Sequence, residues 1–147
     1  MIFTIVTIIS LFLTLLGVLA QGPAFAQTAQ TPQAQVKLIG ASGSFAQDSP
    51  VDVEVKINTQ QAVTAGRIFI NFDAQKLAVV SIEKSKSAFT TIWPQATFDN
   101  ALGQVRMQAA QIPPGVSGEA TIANLKFKAI SGGDAVLALD PRSLLLT

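Results

Sequence analysis

From residue 36 onward the chain is written in short runs that alternate apolar and polar side chains, interrupted by glycine, proline, asparagine and aspartate. The cleanest run sets Val51, Val53, Val55 and Ile57 against Asp52, Glu54, Lys56 and Asn58. A period of two buries one face of a strand, whereas a helix would place Val51 and Val53 about 200° apart and scatter the apolar set. A second run sets Ile68, Ile70 and Phe72 against Arg67, Phe69 and Asn71; Asp73-Ala74-Gln75 breaks it, and Leu77 to Ile82 starts another β-rich stretch. Farther on, Val105, Met107 and Ala109 alternate with Arg106 and Gln108, and Ala123, Leu125 and Phe127 with Asn124, Lys126 and Lys128. Shorter strands are expected at Val36 to Ile39, Ala135 to Leu139 and Ser143 to Thr147.

The breaks carry turn chemistry. Gly40 to Ser44 is expected to turn the chain, Asn58 to Ala65 to be a polar connection, and Asp99 to Gly103 a turn. Ile112-Pro113-Pro114-Gly115 cannot continue a ladder because proline lacks the donor, and Ser131-Gly132-Gly133-Asp134 reads as a hairpin-type turn. Ser85 to Ala96, with Trp93 and Pro94, is the least regular part. The pattern predicts an all-β domain: an antiparallel β-sandwich of about eight to nine strands, jelly-roll or immunoglobulin-like.

The N-terminus has a different texture. Ile2 to Ala20 is an uncharged apolar run, followed by Ala24-Phe25-Ala26, an A-x-A cleavage signature before Gln27. Residues 1–26 are expected to form a hydrophobic signal helix. It is either cleaved as a signal peptide or retained as an anchor, since the run is long enough to span about 30 Å of hydrocarbon. Both readings export the domain to the cell surface or beyond, with membrane contact only through residues 2–20. No cysteine follows the run to accept a lipid. Residues 27–35, QTAQTPQAQ, read as a flexible linker and 36–147 as the domain.

Composition removes function classes. Ten Lys and Arg balance nine Asp and Glu, so no field favours nucleic acid. Without Cys, His or Tyr the chain has no thiol, no imidazole base or ligand and no phenol donor. Asp48, Asp52 and Glu54 could mark a cation or acid–base site, or simply a solvated strand face; no spacing matches a calcium loop. Asp73 and Asp99 suit turn-capping. Ser85-Lys86 is poor evidence for a nucleophile. The expectation is a non-enzyme with no metal and no cofactor.

Binding remains. Arg67, Phe69, Asn71, Arg106, Gln108, Asn124, Lys126 and Lys128 all point outward by parity. Trp93 is either an exposed platform for a sugar ring or a plug beneath an irregular loop. Sugar-binding sandwiches need a planar aromatic strip, and this chain offers one Trp and no Tyr.

The run GRIFINFDAQKLAVV at 66–80, an alternating strand ending aromatic-Asp before a short turn and a Leu-led strand, resembles the Y-D-P-x-x-L region of cohesin domains. GQVRMQAAQ at 103–111 resembles their G-x-I-x-F strand, and GEATIANLKFKAISGGDAVLAL at 118–139 their A-T-I-x-F-K strand, glycine turn and following strand. The resemblance implies a non-catalytic sandwich that presents one sheet face to a dockerin-bearing protein. It also implies that the strands carrying the eight outward residues are neighbours, forming one patch with an apolar centre and a basic rim, a composition suited to protein interfaces. Ala65 and Arg67 stand where the family has polar and acidic contacts. Polysaccharide binding through Trp93, and a structural role in an envelope protein, are the alternatives.

Overall fold

The computed structural model describes residues 34–90 and 92–147, leaving aside the side chains of 92–95; a compact unit spans Pro32–Thr147. The expected signal helix, its cleavage site and the linker up to residue 33 lie outside the described residues. Ten strands follow one another: β1 (Ala34–Ile39), β2 (Ser42–Phe45), β3 (Pro50–Val63), β4 (Ala65–Phe72), β5 (Leu77–Glu83), β6 (Ile92–Asp99), β7 (Gln104–Ala110), β8 (Val116–Ala129), β9 (Gly133–Leu139) and β10 (Leu144–Leu146). There is no helix among the described residues.

The strands form two antiparallel sheets, a four-stranded one in the order β1-β3-β8-β5 and a six-stranded one in the order β2-β9-β4-β7-β6, with β10 paired to β4. The alternation in the sequence explains which face each strand buries. Val51, Val53, Val55 and Ile57 of β3 and Leu125 and Phe127 of β8 point into the sandwich from one side. Ile68, Ile70 and Phe72 of β4, Val105 and Met107 of β7 and Leu137 of β9 point in from the other. Phe72 and Phe127 meet edge to face, with ring centroids 5.2 Å apart. Ile122 and Ala123, adjacent in β8, are both buried because the register with β3 shifts between Val55 and Lys56.

Four local expectations change. Only Gly40 and Ala41 separate β1 from β2, and Ser42–Phe45 pairs with β9 as an edge strand of the other sheet. The supposed polar connection after Asn58 continues β3 to Val63: Thr59 is buried with its hydroxyl bonded locally to Gln61, and a register shift absorbs the polar residues before Val63. The irregular stretch around Trp93 contains β6. Proline is tolerated there because β6 is an edge strand and Pro94 falls in the register shift between Ile92 and Gln95. Finally, the turn at Ser131–Asp134 is no hairpin, since β8 and β9 belong to different sheets. It is held against the β4–β5 turn, with Ile130 N donating to Lys76 O at 2.8 Å and Ser131 Oγ to Gln75 O at 3.0 Å.

The turn feeding β7 ties the sheets together. Asp99 Oδ1 accepts from Ala101 N and Leu102 N at 2.9 and 3.0 Å. The Asn100 amide both accepts from Val79 N (2.8 Å) and donates to Val79 O (3.1 Å) in the other sheet. Gly103 closes it at φ +64°, where a Cβ would lie 2.2 Å from the Phe72 carbonyl oxygen. Gly103→Ala combines left-handed strain with a backbone collision, and should cost about 2–3 kcal/mol in urea denaturation.

Candidate functional site

The outward residues of the six-stranded sheet lie in rows fixed by register. Leu146, Ala65 and Ala110 face one another across β10, β4 and β7; Leu144, Arg67 and Gln108 form the next row. Phe69 and Arg106 follow, with Thr97 of β6 beyond, and then Ala138, Asn71 and Gln104. The two alanines, opposite each other, leave a shallow depression of about 260 Å³ between the leucines and the Arg67–Gln108 pair. Leu144 and Leu146 are 56% and 51% exposed, and Val136 on β9 is exposed as well. Large aliphatic side chains this open on a strand are costly to leave facing water.

Beside the depression, Phe69 is half-buried rather than bare. The Arg142 guanidinium lies over its ring, 5.0 Å from the centroid. Arg142 is itself fixed by Asp140, to which it donates from Nε (2.8 Å), NH2 (2.7 Å) and its backbone N (2.9 Å). Asn71 Nδ2 donates to the same carboxylate at 3.0 Å. Ser143 Oγ accepts from Phe69 N at 3.0 Å and donates back to Phe69 O at 3.2 Å. The loop between β9 and β10 is thus clamped onto the middle of β4, making the centre of the face rigid.

Asp140 is buried, and the hydrogen bonds from Arg142, with that of Asn71, hold its carboxyl well below the usual carboxylate range. A depressed folded pKa means the unfolded chain binds the proton more readily. The contribution is therefore full above the ordinary Asp pKa of about 3.9 and is lost as pH falls toward the folded value. Thermal midpoints should show wild type losing stability more steeply than Asp140→Asn between about pH 5 and pH 2. Parallel curves would contradict the assignment.

Of the eight outward residues, the structure gathers five. Arg67, Phe69, Asn71, Arg106 and Gln108 share the face just described. Asn124, Lys126 and Lys128 do not, because β8 pairs with β3 and β5 in the four-stranded sheet and presents them on the opposite side of the sandwich. Their parity was legible, but parity does not say which sheet a strand joins. The Trp93 side chain lies outside those described. Asp140, Arg142, Leu144 and Leu146 were not singled out as site residues. Leu144-Leu145-Leu146 shows no alternation, and the Asp140 contact with Asn71 spans 69 residues.

The opposite face is chemically different. Lys56 Nζ lies 3.1 Å from Glu119 and 3.6 Å from Glu54, Lys126 Nζ 2.9 Å from Glu83, and Lys128 Nζ 2.7 Å from Asp48. Glu119 and Glu83 respectively, through their hydrogen bonds, raise the pKa values of Lys56 and Lys126. Exposed pairs of this kind add little stability, but they leave few unpaired charges. Asp52 and Glu54, considered above for a cation or acid–base site, belong to this lattice, and Glu54 also accepts from Thr121 Oγ1 at 2.6 Å. Among the described residues no group of three or more acidic, His or Cys side chains is placed to hold a metal ion.

A sandwich of two antiparallel sheets belongs, by its architecture, with the β-sandwich modules. The cohesin domain model matches residues 34–139, and the chain belongs to that family. Similar solved structures include the sixth cohesin of scaffoldin B from Acetivibrio cellulolyticus, in complex with a dockerin (17% identity, 76% of this chain and 84% of that one, TM-score 0.63). A cohesin from Clostridium acetobutylicum gives 21% identity over 77% and 78% with a TM-score of 0.58. A non-cellulosomal cohesin from the archaeon Archaeoglobus fulgidus gives 18% over 74% and 75% with a TM-score of 0.55. No curated protein matches the chain.

Proposed function

We propose that the chain is an exported, non-catalytic docking module that holds a dockerin-type protein partner on the outer face of its six-stranded sheet. The observation that carries this reading is the contrast between the faces. The four-stranded sheet pairs Lys56, Lys126 and Lys128 with carboxylates and exposes Ile39 and Val80 only singly, on its two opposite edge strands, whereas the six-stranded sheet sets exposed Leu144 and Leu146 together around a depression floored by Ala65 and Ala110. Exposed aliphatics next to arginine and a partly covered aromatic have the make-up of an interface core. Membership of the cohesin family supports the same reading, as do the dockerin complexes among its structural relatives. Export rests on the A-x-A signature and apolar run of residues 1–26.

Polysaccharide binding draws no support from the described side chains of this face, where the one aromatic at an outward position, Phe69, lies beneath Arg142. The test is affinity capture with immobilised full-length chain from the extracellular and envelope fraction of the source organism, read by mass spectrometry. A recovered protein with a dockerin module, retained by wild type and by Lys126→Glu/Lys128→Glu alike, is the expected result. Specific retention on polysaccharide with no protein partner would overturn the proposal.

A further inference from the structure

The two arginines at the centre of this face make no ion pair among the described residues. Arg67 and Arg106 sit diagonally across the β4–β7 pair, since Arg67 is opposite Gln108 and Phe69 opposite Arg106. Diagonal outward neighbours on adjacent strands are within reach of one another's long side chains. Both are exposed, and among the described residues neither lies within ion-pair distance of a carboxylate. Of the acidic groups on this face, Asp134 lies on β9, which pairs with β2 at that position, and two others are held within their own loops. Asp140 is bound by Arg142 and Asn71, and Asp99 caps its own turn at the end of β6. Arg106 has only the neutral Gln104 Oε1, at 3.1 Å. The chain carries nearly equal numbers of both signs, yet Arg67 and Arg106 are left without an ion pair beside the exposed leucines.

Resting on the docking reading above, we infer that the partner meets this face with an acidic surface: carboxylates facing Arg67 and Arg106, beside an aliphatic side chain that fills the depression between Leu144, Leu146 and the Ala65–Ala110 pair. Two unneutralised guanidiniums repel in the free chain and gain a partner only on binding. A planar guanidinium suits carboxylate in paired geometry. The depression, walled by leucine on one side and floored by alanine, takes a branched aliphatic group, with Arg67 and Gln108 at its other edge. Because the charges lie exposed beside the apolar depression, they set partner choice and encounter rate, and the leucines set residence time.

The inference is tested with a displayed library built on a calcium-loaded dockerin scaffold whose exposed helix positions are randomised, selected on the full-length chain. Enriched clones are expected to carry Asp or Glu beside Leu, Ile or Val. They should bind Arg67→Glu/Arg106→Glu at least about tenfold more weakly than wild type, with affinity falling as salt rises. Selection on that double variant should return Lys and Arg at the same positions, with its thermal midpoint unchanged. Clones that bind through Leu144 and Leu146 yet show no charge bias, in either selection, would overturn the acidic partner and leave the docking face standing. Clones indifferent to Leu144→Asp/Leu146→Asp, or none enriched at all, would overturn both.

Discussion

Phe127→Ala is expected to lower the unfolding free energy by about 3–5 kcal/mol, the usual range for deleting a fully buried ring. Phe127 is 2% exposed and packs edge to face on Phe72 at the end of β4. It therefore joins the four-stranded sheet to the strand that carries Arg67, Phe69 and Asn71. The cavity cannot close easily, because Val51 and Val79, its register partners on β3 and β5, are themselves held in ladders on both sides of β8. Urea denaturation measures the loss. Phe98→Ala is the comparison: on edge strand β6 and 45% exposed, Phe98 should cost under about 1 kcal/mol. Equal losses at the two positions would mean that the contact between the sheets is not where the fold is held.

Leu144→Asp/Leu146→Asp should weaken capture of the partner by about 100-fold or more, since it places two charges where the interface must be dry. The stability effect should be small, because both side chains already face water and β10 is a three-residue edge segment. Lys126→Glu/Lys128→Glu on the opposite face is the matched control. It inverts two charges in an exposed ion-pair lattice and should change capture by less than about twofold. Binding measured with all three chains separates loss of the face from loss of the fold.

Much of this architecture could be read before any coordinates. Val51 to Ile57 and Ile68 to Phe72 alternate cleanly because each lies in a sheet with one face in the core and one in solvent. What alternation cannot supply is partnership. Lys126 and Lys128 point outward as expected, yet β8 lies between β3 and β5, so they leave the patch that the cohesin resemblance had implied for them. Strands with no clean apolar–polar alternation leave no stripe to read. Ser42–Phe45 contains two serines and a glycine, and β6 contains a proline. The Phe69–Arg142–Asp140–Asn71 cluster was invisible because it is a tertiary contact between a turn and a distant strand, with no spacing to betray it.

The six-stranded face, and not the four-stranded one, is proposed to receive the partner. Exposed methyl groups report on both: Leu144 and Leu146 on the first, Val80 of β5 on the second. The most direct measurement is a methyl-labelled NMR titration of the full-length chain with its captured dockerin-bearing partner. The Leu144 and Leu146 methyl signals are expected to shift or broaden on binding while that of Val80 stays in place. Perturbation of Val80 with Leu144 and Leu146 unmoved would contradict it.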